Sequence, residues 1–293
     1  MTIGEVELHA MLLTASVAAA CAVPGVFLVL RRLAMVSDAM GHVLLFGIVV
    51  AYGVVGSLDS LWLKVGAVLS ALLTVILVEQ LQRTRLLRED AALGLVFPAL
   101  FSAGVLISSL YFRNTHLDVD QVLLGHVEFA ARWDALPMLG LLALNLLLVV
   151  GFYRTLKLTT FDPTLATMLG FAPVAVHYGL MAMASVTVVA AFDAVGPILV
   201  GAFVVLPAIT ARLFVDRLGP MIALAVGFAI FGAALGVRLA FSFATNTAGM
   251  AAATCGLVYL IAFLLSPKRG LIAVWLRRRR LRQAWLQALD AHG

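Results

Sequence analysis

Residues 31–56 read RRLAMVSDAMGHVLLFGIVVAYGVVG, and this stretch decides the fold. Arg31 and Arg32 stand before a run that carries no lysine or arginine through Gly56 and is apolar enough to lie in lipid. A basic pair followed by about 20 mostly apolar residues is the pattern of a helix that crosses a bilayer from its cytoplasmic side. Inside that run sit Asp38 and His42. A carboxylate at mid-membrane costs roughly 2.5–3.5 kcal/mol on insertion scales, so its presence asks for a reason.

The same pattern extends outward over the chain. Its 293 residues are 63% hydrophobic and 12% charged, with mean hydropathy +1.09. Apolar spans fall at about 8–30, 33–56, 61–81, 91–112, 133–153, 173–193, 195–213, 219–241 and 248–266. The expectation is an all-α integral membrane protein of about nine spans, with eight to ten allowed. The uncertainty lies at 173–213, where only Ala194 separates two spans and Pro197 and Pro207 interrupt the second. A broken or re-entrant helix is one reading there, provided protein shields its backbone. The start carries Glu5 and Glu7 and no basic residue before Arg31, unlike the basic leader of a signal peptide. Cys21 and Cys255 lie far apart in apolar spans and read as small buried hydrophobes.

Charge sets the expected orientation. With the N-terminus outside, the segments at 31–32, 82–90, 154–172, 212–218 and from 267 onward lie inside, and they hold sixteen of the 20 Lys+Arg residues. Lys64, Arg113, Arg132 and Arg238 remain outside. That asymmetry is the positive-inside rule, so the basic pI is topological and implies no nucleic acid. Residues 1–270 form one polytopic membrane domain. The tail, 271–293, places Leu276, Leu281, Trp285 and Leu289 near helical spacing among Arg277 to Arg280 and Arg282, a basic amphipathic helix suited to anionic lipid.

No GxxxxGK[ST], HExxH or GxSxG occurs, so nucleotide-cradling and common hydrolase signatures are missing. Transport driven by ATP would need a separate ATPase chain.

Among the acidic residues only Asp38 and Asp193 lie well within spans, while Glu79 can reach the inner surface. Asp38 and His42 are four apart and share a helical face. A carboxylate oxygen beside an imidazole nitrogen suits zinc, manganese or iron(II). One pair is too few for a closed site; two copies at a dimer axis would supply four ligands. The plainer alternative makes Asp38 a cap for a helix starting near Ser37 and His42 a hydrogen-bonded core histidine. His177 reads as a satisfied structural histidine, and Asp193 as an interfacial residue. The outer segment after Arg113 holds His116, Asp118, Asp120, His126 and Glu128. It would draw cations, receive a partner or simply be a solvated loop.

In the inner segment TFDPTLATMLGFAP, Asp162 has the chemistry of an N-cap, Pro163 of a first helical residue and Gly170 of a helix stop. The spacing predicts a short capped helix on the cytoplasmic face. Such a helix could receive pushes from an ATPase or merely connect two spans.

Four ordered segments resemble the permease subunits of zinc- and manganese-type ABC importers. RRLAMVSDAMGHVLLFGI is similar to that family's arginine-rich lead-in and Asp-Ala-x-x-His helix. FDPTLATMLG resembles its Phe-Asp-Pro…Ala…Leu-Gly coupling segment, FDAVGPILVGAFVVLPAITARL its Val-Gly…Leu-Val…Pro-Ala-x-x-Ala-Arg stretch, and SPKRG the close of its last span. The likeness runs from about residue 8 to 270. It departs where Gly41 replaces a common serine and Leu45-Phe46-Gly47 replaces Leu-Pro-Gly. The resemblance implies a cobalamin-importer-like (type II) permease in the bacterial cytoplasmic membrane. It implies pairing with a second permease, identical or paralogous, above a cytoplasmic ABC ATPase dimer, and loading by an extracytoplasmic metal-binding protein. Asp38 and His42 would line the metal path, with the divalent ion as cargo and no permanent cofactor. Phe161, Asp162, Pro163, Leu165, Ala166, Leu169 and Gly170 would contact the ATPase. Asp193 in FDAVG and the basic tail lean toward manganese- or iron-type members. The rival classes are a proton-coupled cation transporter, which gives no reason for FDPTLATMLG, and an intramembrane enzyme, which would want paired aspartate motifs on facing helices.

Overall fold

The computed structural model describes residues 3–56, 61–84, 87, 89–111, 132–266 and 270. Its helices are α1 (Ile3–Leu30), α2 (Ala34–Val55), α3 (Leu61–Arg83), α4 (Glu89–Tyr111), α5 (Ala135–Gly151), α6 (Tyr153–Phe161), α7 (Pro163–Met168), α8 (Pro173–Val195), α9 (Pro197–Phe214), α10 (Leu218–Phe243) and α11 (Thr247–Leu265), with a 3-10 turn at Arg132–Asp134 before α5. Among the described residues, eight helices are each long and apolar enough to cross a bilayer. The number is nine if the bent pair α5–α6 is counted as one span.

That pair turns through 74° at Phe152. The sequence changes there from LLALNLLLVVG to YRTLKLTTF, which carries Arg154 and Lys157. A charged segment loses solvation if it continues into hydrocarbon, so the chain leaves the α5 axis where the apolar run ends. The 173–213 region is two complete helices rather than one broken or re-entrant element. Gly196, at φ 82°, separates them; Pro197 opens α9, and Pro207 lies inside it without ending it.

The centre of the bundle is α1, 89% of whose spanning window is buried. It packs against α5, α8, α9 and α10, and its Ala18, Ala20, Cys21, Ala22 and Val23 are fully enclosed. Lipid tails are as apolar as leucine, so helices associate here through close packing and a few hydrogen bonds. Small residues supply the close packing. A Cβ on Gly47 of α2 would strike the backbone carbonyl of Gly66 on α3, so the two helices touch backbone to backbone. A polar pin supplies hydrogen bonds: buried Asn145 of α5 donates to Thr187 Oγ1 of α8 (2.9 Å) and to the Ala20 carbonyl of α1 (3.3 Å). Both cysteines are buried and unpaired, as their setting in apolar spans implied.

Helix ends sort into two groups. Lys64 near the start of α3 meets Asp193 near the end of α8 at 2.6 Å, and Glu7 at the start of α1 meets Arg238 near the end of α10 at 3.6 Å. At the opposite end gather Arg31 after α1, Glu79 on α3, Thr159 and Thr160 on α6, and His177 on α8. Among the described residues this places Arg31 and Arg32 at the same end as Thr159 and Thr160.

Candidate functional site

α2 starts at Ala34 after an N-cap position held by Leu33, and no side chain caps it. Asp38 therefore lies in the second turn, and the capping alternative fails. Ser37 turns its hydroxyl back to the Ala34 carbonyl at 2.7 Å instead. One turn further, His42 brings Nε2 to 3.8 Å from Asp38 Oδ1. The Asp38 side chain is 65% exposed and that of His42 33%, so His42 is no enclosed core histidine either.

Neighbouring helices shape this face. The His42 ring lies 5.3 Å from that of Phe97 and 6.3 Å, edge on, from that of Phe101, both on α4. Across from Asp38, a Cβ placed on Gly201 of α9 would stand 3.5 Å from Oδ1, so the glycine leaves room beside the carboxylate. Sequence reasoning missed all three residues. Phe97 and Phe101 do repeat the four-residue spacing of Asp38 and His42, but aromatics at that spacing in an apolar span carry no distinguishing signal.

The Asp38 and His42 donor atoms stand near the spacing that two ligands of one ion take. Oxygen and nitrogen donors bound to one tetrahedral zinc at 2.0–2.2 Å stand about 3.4 Å apart. A small rotation about either side chain closes the difference from 3.8 Å. Among the described residues no group of three or more His, Cys, Asp or Glu side chains comes together. The Asp38–His42 pair thus stands without a third such side chain beside it among the described residues.

The 161–170 segment is closed on itself. Asp162 Oδ1 accepts the Leu165 backbone N–H at 2.9 Å, and Pro163 occupies the first helical position. At the other end Gly170 takes φ 82°, and two bonds reach back: Phe171 N–H to the Ala166 carbonyl and Gly170 N–H to the Thr167 carbonyl, each 3.0 Å. That pair of bonds is a Schellman stop, and the left-handed residue it requires is why glycine stands there. Ala166 is fully buried, whereas Phe161, Leu165, Met168 and Leu169 are exposed. Apolar side chains on a short surface helix form an exposed patch suited to a partner.

Beside α7, a cavity of about 540 Å³ opens among Arg31, Glu79, Gln82, Thr159, Thr160 and His177. The Arg31 guanidinium donates to Thr160 Oγ1 through Nε and Nη2 (both 3.2 Å) and to Thr159 Oγ1 through Nη2 (3.2 Å). Its Nη1 stands 3.4 Å from His177 Nδ1. Burial lowers its pKa from the ordinary arginine value. His177 Nε2 in turn is 3.9 Å from Glu79 Oε2, and Glu79 Oε1 accepts from Arg83 at 2.8 Å. His177 is thus tied into a polar cluster at the helix ends, a structural histidine with partners. Asp193 lies near the end of α8 and is paired with Lys64. His116, Asp118, Asp120, His126 and Glu128 lie outside the described residues, as does the tail from 271.

The chain resembles proteins of known assignment along nearly its whole length. It is 41% identical over 286 residues to the zinc transport system membrane protein TroD of Treponema pallidum, covering 94% of this chain and 78% of that one. It is 38% identical over 274 residues to the manganese transport system membrane protein MntD of Bacillus subtilis, covering 89% and 92%. Among solved structures, PsaBC from Streptococcus pneumoniae in complex with Fab superposes with a TM-score of 0.78 at 27% identity, covering 89% of this chain and 92% of that one. The all-helical, multi-pass architecture is therefore the type II permease fold expected from the motifs. The profile of the ABC 3 transport family matches residues 5–266, and the chain belongs to that family.

Proposed function

We propose that this chain is the membrane permease of an ATP-driven importer for divalent transition-metal ions, zinc or manganese, with iron(II) a further candidate. The observation that carries the reading is the Asp38–His42 pair, a carboxylate and an imidazole 3.8 Å apart on one open helical face of a membrane bundle. The carboxylate charge offsets part of the desolvation of a dication, and the imidazole supplies a borderline donor. Two ligands per chain hold an ion weakly, and a transport path needs that: binding must favour arrival and still permit departure. A second permease, identical or paralogous, packed on this face would complete the sphere with its own pair.

The short helix α7, with Phe161, Asp162, Pro163, Leu165, Ala166, Leu169 and Gly170, is the docking element for a cytoplasmic ATPase dimer. Its exposed Met168 and Leu169 seat in the partner, while the cap and stop keep its ends from fraying. Hydrolysis takes place on the ATPase, so this chain is itself no enzyme. An extracytoplasmic metal-binding protein delivers the ion at the end marked by Lys64, Asp193, Glu7 and Arg238. The N-terminus faces outward and the 162–170 helix inward, in the bacterial cytoplasmic membrane. The positive-inside asymmetry supports this orientation, and the grouping of helix ends agrees with it.

The test is uptake of radiolabelled zinc, manganese and iron(II) by proteoliposomes holding the assembled complex, with and without ATP. ATP-dependent accumulation of at least one of these ions is expected. Accumulation driven by a proton gradient alone would select the secondary transporter instead.

A further inference from the structure

Arg31 stands in the three-residue link between α1 and α2, and that link has no slack. Arg31 N–H bonds the Phe27 carbonyl (2.9 Å), Arg32 N–H the Val29 carbonyl (3.2 Å) and Leu33 N–H the Leu28 carbonyl (2.8 Å). Arg32 is held at φ 64°, in the left-handed region. These three bonds close the end of α1, and α2 follows at once, its Val36 N–H bonding the Leu33 carbonyl at 3.1 Å.

The guanidinium reaches the chain on both sides of α7. Thr159 and Thr160 immediately precede Phe161 and the Asp162 cap, and His177 follows the Gly170 stop on α8. Thr159 donates its own hydroxyl to the Thr155 carbonyl at 2.8 Å, which leaves its oxygen lone pair for Arg31. These partners are neutral hydroxyls and an imidazole rather than carboxylates, so the guanidinium is held by hydrogen bonds without a full ion pair.

We propose that Arg31 is a positioning residue, a strut that carries movement of the 162–170 segment into α2 and so into the face holding Asp38 and His42. The proposal rests on the coupling reading above. Rocking of α7 pulls on Thr159 and Thr160, the fork of Arg31 follows, and the tight link turns the start of α2. Asp38 lies only seven residues beyond Arg31, so a small rotation there changes the Oδ1–Nε2 geometry that the ion meets. Arg31 touches no metal; it acts through α2.

The experiment measures radiolabelled manganese and zinc uptake together with ATP hydrolysis in the same proteoliposomes of the full complex. The variants are Arg31→Met, Arg31→Lys, the double variant Thr159→Val/Thr160→Val and the double variant Thr159→Ser/Thr160→Ser. The valine pair and Arg31→Met are expected to lower metal taken up per ATP hydrolysed at least fivefold. Hydrolysis should stay within twofold of wild type, and the KM for metal should be unchanged. The serine pair, which keeps both hydroxyls, should retain the wild-type ratio, and Arg31→Lys should fall between. Thr160→Val alone is nearly isosteric and serves if the double valine variant fails to assemble.

A wild-type uptake-to-hydrolysis ratio in the valine variant overturns the strut. So does a parallel fall of uptake and hydrolysis, which marks a merely structural role. Leu165→Pro runs alongside: if it stays coupled, or if wild type takes up no metal, the coupling reading fails and the strut with it. If both behave as expected and the Arg31 and threonine variants match wild type, the strut alone falls.

Discussion

Asp38 and Asp193 expose nearly the same share of their side chains, 65% and 63%, and both sit on apolar helices. Their neighbours differ. Asp193 is met by Lys64 Nζ at 2.6 Å, so its charge is already balanced. The ionisable neighbour of Asp38 is His42 at 3.8 Å, a group that is neutral unless protonated and that is itself a metal donor. A carboxylate in a membrane protein marks an ion path when its counter-charge has to arrive from elsewhere. Asp162 adds a third case, since its oxygen is claimed by the Leu165 backbone N–H. Three aspartates thus divide into one beside a histidine, one closing a helix and one closing a surface pair.

The largest effect is expected at Asp38 and its histidine. Asp38→Asn keeps the shape and removes the charge, and His42→Ala removes the nitrogen donor. Each should lower divalent-metal uptake by roughly 10–100-fold, the range typical for loss of a group that supports a metal site. Asp38 is exposed, so Asp38→Asn should move stability by less than about 0.5 kcal/mol. His42→Ala, at a side chain one-third exposed beside Phe97 and Phe101, should cost somewhat more, while expression and insertion remain measurable controls. Radiometal uptake at equal protein levels checks both. Normal uptake in the two variants would erase the difference between Asp38 and Asp193.

Next comes the helix closed by Asp162. Leu165→Pro deletes the one N–H that the Asp162 carboxylate holds and should uncouple uptake from hydrolysis several-fold while the chain still inserts. Asp162→Ala should be milder, because losing a cap costs about 1 kcal/mol of helix stability. Asp162→Asn, an equally good cap, should behave as wild type. Coupling ratios across this series separate a capping role from a charge role: if Asn fails as badly as Ala, the carboxylate is doing something besides closing the helix.

These cases also show what could be read from residues in order. Asp162, Pro163 and Gly170 announced a capped helix because caps and stops are local, spanning three to six residues. The Asp38–His42 face followed from helical spacing alone, and the spans and their ends followed from hydropathy and charge. Whether Asp38 caps or faces outward was open until α2 was seen to begin at Ala34. Phe97, Phe101 and Gly201 were invisible, because the packing of α4 and α9 on α2 puts them there. The Arg31 contacts join residues 128 to 146 positions apart, and no periodicity encodes that. The bend at Phe152 was half legible: the charges of the 154–172 segment placed it inside, but the apolar run gave no angle.

The smallest effect is expected at Asp193. Asp193→Asn removes an ion pair whose partners are 63% and 62% exposed, and pairs in that setting are worth about 0–1 kcal/mol, less as salt rises. Lys64 is exposed enough to regain water when its partner is lost, so no charge is stranded. Thermal unfolding of the detergent-solubilised variant should fall within a degree or two of wild type, and metal uptake driven by saturating delivery protein should be unchanged. The sharper measurement is the dependence of uptake on delivery-protein concentration at low and high salt. In the proposed orientation Lys64 and Asp193 stand at the outer end, so an electrostatic role in docking would raise the half-saturating concentration at low salt and leave the maximal rate alone. A fall in the maximal rate to the level of Asp38→Asn would show instead that Asp193 belongs to the ion path, and that a carboxylate already holding a lysine can still pass a metal.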